Sequence, residues 1–165
     1  MAIAFSRAVF VKRSAGKNVC AKASYIGRER IHFDGNKFME GRTYDFSSHG
    51  KTIHNEILLP KGVDQRYKNP ELLWNKVEQT ERRCNSQLAL EFVLALPDDQ
   101  VVSKEDRIEL CKRFLCEHFV KEGLAAQFAI HSPGTKSLEN KEGEIQREEH
   151  NWHAHLLVTT RRFRE

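Results

Sequence analysis

The sequence predicts an α+β domain in which helices pack on one face of a mainly antiparallel sheet. Three observations predict it. Short segments of alternating apolar and polar residues recur along the chain. Two longer segments keep helical apolar spacing behind explicit start signals. The element order runs strand, helix, irregular, helix, strand, helix, strand, strand.

Taken in order, residues 2–10 read as a short strand, Arg13-Ser14-Ala15-Gly16 as a turn, and residues 18–29 as a helix that carries Tyr25. Residues 31–60 are mixed, with turn signals at Gly35-Asn36 and Ser47-Ser48-His49-Gly50. Residues 70–84 read as a helix. Asn69 can cap it, Pro70 takes the first position, where its missing N–H costs nothing, and Leu73, Trp74 and Val77 keep helical spacing. Leu88 to Leu96 is a strand that Pro97 ends. Ser103-Lys104-Glu105-Asp106 is a capping box with Asp in its last place, and the helix behind it runs to Glu122 before Gly123 stops it. Gln127 to His131 and His153 to Thr160 read as strands. A polar loop rich in Lys, Glu and Gly, Ser132 to Asn151, separates them.

A chain of 165 residues suits one domain with an ordinary core. Charged residues at 30% and hydrophobic ones at 39% place it among soluble globular chains and exclude a disordered one. The net charge of +4 is compatible with a nucleic-acid partner without requiring one. No apolar run approaches the ~18 residues of a membrane span. The first residues lack the charged-then-apolar order of a signal peptide, so the expected compartment is the cytoplasm. Cys20, Cys84, Cys111 and Cys116 match no CxxC spacing. Cys111 and Cys116 fall in one helix and are expected to pack as small apolar side chains.

The stretch richest in chemistry is His150-Asn151-Trp152-His153-Ala154-His155-Leu156-Leu157-Val158. Period two turns His153 and His155 to one face, about 7 Å apart along the strand. If this strand pairs with Gln127–His131 as a hairpin, His131 lies beside them, and Phe128 and Ile130 face the opposite way. Three neutral imidazoles leave a divalent ion its full charge and open positions. From the residues alone, a metal site and a set of half-exposed histidines both fit. His150 is a possible fourth ligand or a solvent-facing residue. Imidazoles favour Zn, Cu and Ni, whereas Mg and Mn prefer oxygen ligands.

Arg13-Ser14-Ala15-Gly16-Lys17 followed by Ala21-Lys22-Ala23-Ser24-Tyr25-Ile26-Gly27-Arg28-Glu29 resembles the opening motif of MobA/MobL-type plasmid relaxases. Leu73-Trp74-Asn75-Lys76-Val77-Glu78, Glu81-Arg82-Arg83 and Glu91 to Pro97 resemble the family's middle motif. Asn151-Trp152-His153-Ala154-His155 with Thr159-Thr160-Arg161 resembles its last, with Trp152 where Pro is usual. The resemblance spans nearly the whole chain, in order, and is strongest to the Ti-plasmid-type conjugative-transfer branch.

The resemblance implies a HUH-type endonuclease: a five-stranded antiparallel sheet flanked by helices, with the histidines on central strands. It implies a single-stranded DNA substrate at an origin of transfer, with coupling and accessory conjugation proteins as possible partners. Tyr25 would be the nucleophile and would keep the 5′ end of the nicked strand. A divalent metal, Mg²⁺ or Mn²⁺, would sit on His131, His153 and His155. Tyrosine is mostly protonated at neutral pH, so a base or a cation must help it. Glu91 is the first candidate as proton acceptor or orienter of a histidine. Mid-strand among apolar residues, it faces either the histidines or solvent. Glu81 is the second candidate and Asp45 the third. Arg13, Lys17, Arg28 and Arg30 near the nucleophile, and Arg161, Arg162 and Arg164 after the histidine strand, form two basic clusters for phosphate contacts. Trp152 is placed to stack on a base.

Two other readings compete: a phosphodiesterase that activates water on the metal, with Tyr25 dispensable, and a DNA-binding module with structural histidines. The expected organisation is a single DNA-nicking domain over residues 1–165, cut from the N-terminal part of a longer protein.

Overall fold

The computed structural model describes residues 6–98, 100–132, 135–139, 145–149 and 152–163. The predicted strand residues 2–5, His150, Asn151 and Arg164 lie outside the described residues. The elements are β1 (Ser6–Lys12), α1 (Val19–Gly27), β2 (Arg30–Phe33), β3 (Arg42–Asp45), β4 (His54–Leu58), α2 (Pro70–Thr80), β5 (Gln87–Ala95), α3 (Lys104–His118), β6 (Ala126–His131), β7 (Thr135–Glu139), β8 (Ile145–Glu149) and β9 (His153–Thr159).

Five strands form one sheet in the order β1-β5-β9-β6-β4, with every pairing antiparallel. β9 is therefore central. It pairs with β6 in the predicted hairpin register, His131 opposite His153 and Ala129 opposite His155. β2 and β3 form a separate ribbon, as do β7 and β8. The predicted polar loop 132–151 thus contains paired strands. The mixed region 31–60 holds the edge strand β4 and the β2–β3 ribbon.

Helices cover both faces of the sheet, not one as the sequence predicts. On one face Val11, Ala89, Ala129 and Leu157 pack with Val19, Ala23 and Ile26 of α1 and Leu73 and Trp74 of α2. On the other, Phe128, Ile130, Ala154, Leu156 and Val158 pack with Cys111 and Leu115 of α3. The reason is visible in β6, buried at all six positions, and in the consecutive Leu156 and Leu157, both fully buried. A strand buried on both faces needs a layer on each side. Each large side chain so buried contributes about 1.5–3 kcal/mol. Cys111 joins this core, whereas Cys116 is exposed.

Local signals set the helix ends. Asn69 accepts from the N–H groups of Glu71 and Leu72, with Pro70 in the first turn. The Ser103–Asp106 capping box is complete. Asn18 caps α1 by accepting from Ala21. α1 ends two residues before predicted, because Arg28 turns into the left-handed region at φ 50°. At Gly27 a Cβ would lie 2.6 Å from Glu29 Oε1 and 2.8 Å from Asn55 Nδ2, so glycine lets α1 end close against β4.

Candidate active site

His131, His153 and His155 converge at one end of the sheet, on the face covered by α1. Their ring centroids are 4.9–5.1 Å apart. One ligand nitrogen from each lies within 4.8 Å of the others. Ion–nitrogen bonds of about 2.0–2.1 Å would draw three nitrogens somewhat closer, which small side-chain rotations supply.

The outer nitrogens fit a metal as well. His131 Nε2 lies 2.7 Å from the carbonyl oxygen of Ile26. A carbonyl only accepts, so Nε2 carries the hydrogen and the Nδ1 lone pair is free for an ion. The same bond satisfies a last-turn carbonyl of the helix that bears Tyr25. Burial, with the neighbouring His155 and Arg28, lowers the His131 pKa to about 4 against the raising effect of the Ile26 bond, so the ring is neutral at neutral pH. His155 Nδ1 is buried and has no hydrogen-bond partner among the described residues, 3.6 Å from Glu91 Oε1. That distance exceeds a hydrogen bond. It leaves Nδ1 facing a carboxylate and Nε2 as the donor toward the cluster. Three imidazoles, with His131 neutral and held from behind by the Ile26 carbonyl and His155 backed by the Glu91 carboxylate at 3.6 Å, form a donor set that fits a divalent cation.

Glu91 sits in β5 between Val9 and Leu157, on the histidine face, and is 3% exposed. Its Oε2 is 3.0 Å from Lys22 Nζ. Burial pushes its carboxyl up, but His155 and Lys22 outweigh this and hold it below the usual carboxylate range. Tyr25 is 43% exposed and sits on α1, one turn beyond Lys22. Its ring makes edge contacts with His155 at 6.2 Å and Phe46 at 5.5 Å, and Lys22 Nζ lies 5.7 Å from its centroid. Arg28 donates to the carbonyl of Lys51 and lies near His131. Lys17 is exposed just before the cap of α1.

Other predicted site residues fall elsewhere. Arg13 is no surface cation. Its side chain is 7% exposed and donates to Glu78 Oε2 at 2.9 Å, and to the carbonyls of Glu78, Glu81 and Arg83. Glu81 lies at the end of α2, paired with Arg161 beyond the far end of β9, and so is remote from the histidines. Arg161 and Arg162 share that end, and Arg162 pairs with Glu122. Trp152 has the parity of Ala154, so it lies on the α3 face, opposite the histidines. Its ring is covered by the Arg107 guanidinium at 4.0 Å. Asp45 closes an exposed turn through Ser47, and Arg30 begins β2 on the surface. Lys22 was not singled out from the sequence. Its position three residues before Tyr25 on one helix was the available signal.

A family model described as the MobA/MobL family matches residues 17–165. The probable mobilization protein MobA of Bifidobacterium longum (strain NCC 2705) is 29% identical over 153 residues, covering 93% of this chain and 24% of that protein. The conjugal transfer protein TraA of Agrobacterium fabrum is 28% identical over 176 residues, covering 100% of this chain and 14% of that protein. The chain thus spans about a quarter or less of these relatives. A solved structure described as "Molecular Basis of Vancomycin Resistance Transfer in Staphylococcus aureus" aligns with a TM-score of 0.74 at 32% identity, covering 97% of this chain and 71% of that one. No helix among the described residues is long and apolar enough to cross a membrane. Since the family match takes in the Tyr25 helix, the Glu91 strand and all three histidines, the chain belongs to the MobA/MobL family of mobilisation and conjugal-transfer proteins.

Proposed function

We propose that the chain is a DNA relaxase domain, which nicks one strand at a plasmid origin of transfer and retains its 5′ end on Tyr25. The observation that supports this best is the edge contact of an exposed tyrosine with His155, a member of a three-histidine cluster. The names of the relatives, mobilization and conjugal transfer proteins, favour a role in moving DNA.

In this reading Tyr25 Oη attacks the scissile phosphorus. An Oη–P bond forms as the P–O3′ bond breaks. The phenol loses its proton and the 3′-oxygen gains one, so a phosphodiester is exchanged for a phosphodiester and the step reverses readily. A divalent ion on His131, His153 and His155, Mg²⁺ or Mn²⁺, would supply Lewis-acid stabilisation of the charge on a non-bridging oxygen. Glu91 orients His155 and does not take the Tyr25 proton, because its oxygens face His155 and Lys22. Lys22 places positive charge beside the tyrosine ring. His131, tied to the last turn of α1, holds the cluster and the Tyr25 helix in register.

A labelled single strand of the cognate origin, incubated with Mn²⁺ and run on a denaturing protein gel, tests the proposal. A labelled band at the mass of protein plus oligonucleotide, lost with EDTA and with Tyr25→Phe, is expected. Cleavage that persists in Tyr25→Phe would instead favour metal-activated water. Salt-sensitive binding of the strand without cleavage would favour a binding module.

A further inference from the structure

A groove of about 400 Å³ opens beside Tyr25 and runs along α1 toward its N-terminus, away from the histidines. Lys17 and Lys22 line it from the α1 side, Arg42, Tyr44 and Phe46 from β3 and the turn after it, and Tyr25 closes one end. No acidic side chain lines it among the described residues. Lys17 and Arg42 are exposed, and the Arg42 guanidinium lies 5.3 Å from the centre of the Tyr44 ring. Cations interleaved with half-buried aromatic rings suit a single-stranded polynucleotide, whose phosphates need charge and whose bases need flat apolar surfaces.

Direction follows from the geometry of displacement. In an in-line attack the entering Oη and the leaving O3′ lie on opposite sides of phosphorus. The nucleotide that ends in the 3′-hydroxyl therefore departs away from the Tyr25 ring. The nucleotide on the other side of the phosphate is the one that can turn back past the tyrosine. After cleavage it is also the one joined to Oη. We infer that this groove holds the DNA segment 3′ of the nick, the strand that stays covalently attached, with Lys17 and Arg42 as phosphate contacts and Tyr44 and Phe46 as stacking surfaces. This rests on the Tyr25 reading above.

The test uses the whole chain and two single strands of the cognate origin, one ending a single nucleotide 3′ of the nick and one extending eight nucleotides beyond it. Wild type is expected to bind the longer strand about tenfold or more tighter, a gain on the scale of stacking one or two bases. Lys17→Gln with Arg42→Gln should remove most of that gain and weaken binding of the shorter strand far less. It should also make the salt dependence of binding to the longer strand shallower by about 1.4 in log–log slope, two phosphate contacts' worth. Lys17→Arg with Arg42→Lys should restore the gain. Adduct formation with no length-dependent difference in binding would overturn the groove assignment while leaving the tyrosine chemistry standing. No adduct with either strand in wild type would overturn both.

Discussion

Arg13 tests the structure against the sequence-based expectation most sharply, because the two assign it opposite roles. The expectation makes it a phosphate contact. The structure makes it an internal fastener between the turn after β1 and the end of α2. Arg13→Ala removes four hydrogen bonds at once. Carbonyls of Glu78, Glu81 and Arg83 lose a donor, and the Glu78 carboxylate, whose side chain is 1% exposed, loses its cation. Among the described residues Glu78 keeps the N–H of Val19 at 2.8 Å and the Asn36 amide at 3.3 Å. Removing one partner of a buried ion pair costs about 3–5 kcal/mol. At about 2–4 °C per kcal/mol for a domain of this size, the melting temperature should fall by about 6–20 °C. Thermal unfolding followed by circular dichroism reads this directly. Arg13→Lys should recover little, since an ammonium cannot span four acceptors in one plane. A surface phosphate contact would leave stability within about 0.5 kcal/mol of wild type. A melting shift under about 2 °C together with weakened DNA binding would therefore refute the buried-fastener account.

Glu91→Gln keeps shape but removes the charge behind His155. Mn²⁺ affinity measured by titration calorimetry should fall about 10- to 100-fold, as for other carboxylates that orient metal-ligating histidines. An unchanged affinity would remove Glu91 from that role. The Glu81 carboxyl is raised by burial but lowered further by Arg161, so its folded pKa lies below the ordinary 4.5. Its contribution is present above that value and is lost as pH falls through the folded pKa. Arg161→Gln should therefore flatten the decline in melting temperature between pH 6 and pH 3. The effect should be modest because Arg161 is mostly exposed. Trp74 donates from Nε1 to the buried Oε1 of Gln127 at 2.6 Å, joining α2 to the central sheet. Trp74→Phe should cost about 1–3 kcal/mol in urea denaturation by leaving that acceptor unpaired.

The histidine cluster was legible in the sequence because it rests on strand alternation and one hairpin pairing, both local rules. The caps at Asn69 and Ser103 were legible for the same reason. Arg13 and Glu81 were not, since their partners stand 65–70 and 80 residues away in sequence and no local pattern announces them. β4 was hidden because His54, Asn55 and Glu56 break any apolar alternation in a strand of five residues. Trp152 could have been placed correctly. The alternation that puts His153 and His155 on one face puts Trp152 on the other, under α3. Likewise the run Leu156-Leu157-Val158 signalled burial on both faces, and so a second helical layer.

The most direct measurement is mass spectrometry of the adduct after trypsin and nuclease digestion. Cleavage after Lys22 and Arg28 releases Ala23–Arg28, a peptide in which Tyr25 is the only phenol. The account predicts that this peptide carries a 5′-linked nucleotide on Tyr25, formed only when a divalent metal is present. A nucleotide on another residue, or a free 5′-phosphate that has taken up ¹⁸O from labelled water while Ala23–Arg28 stays unmodified, would contradict it.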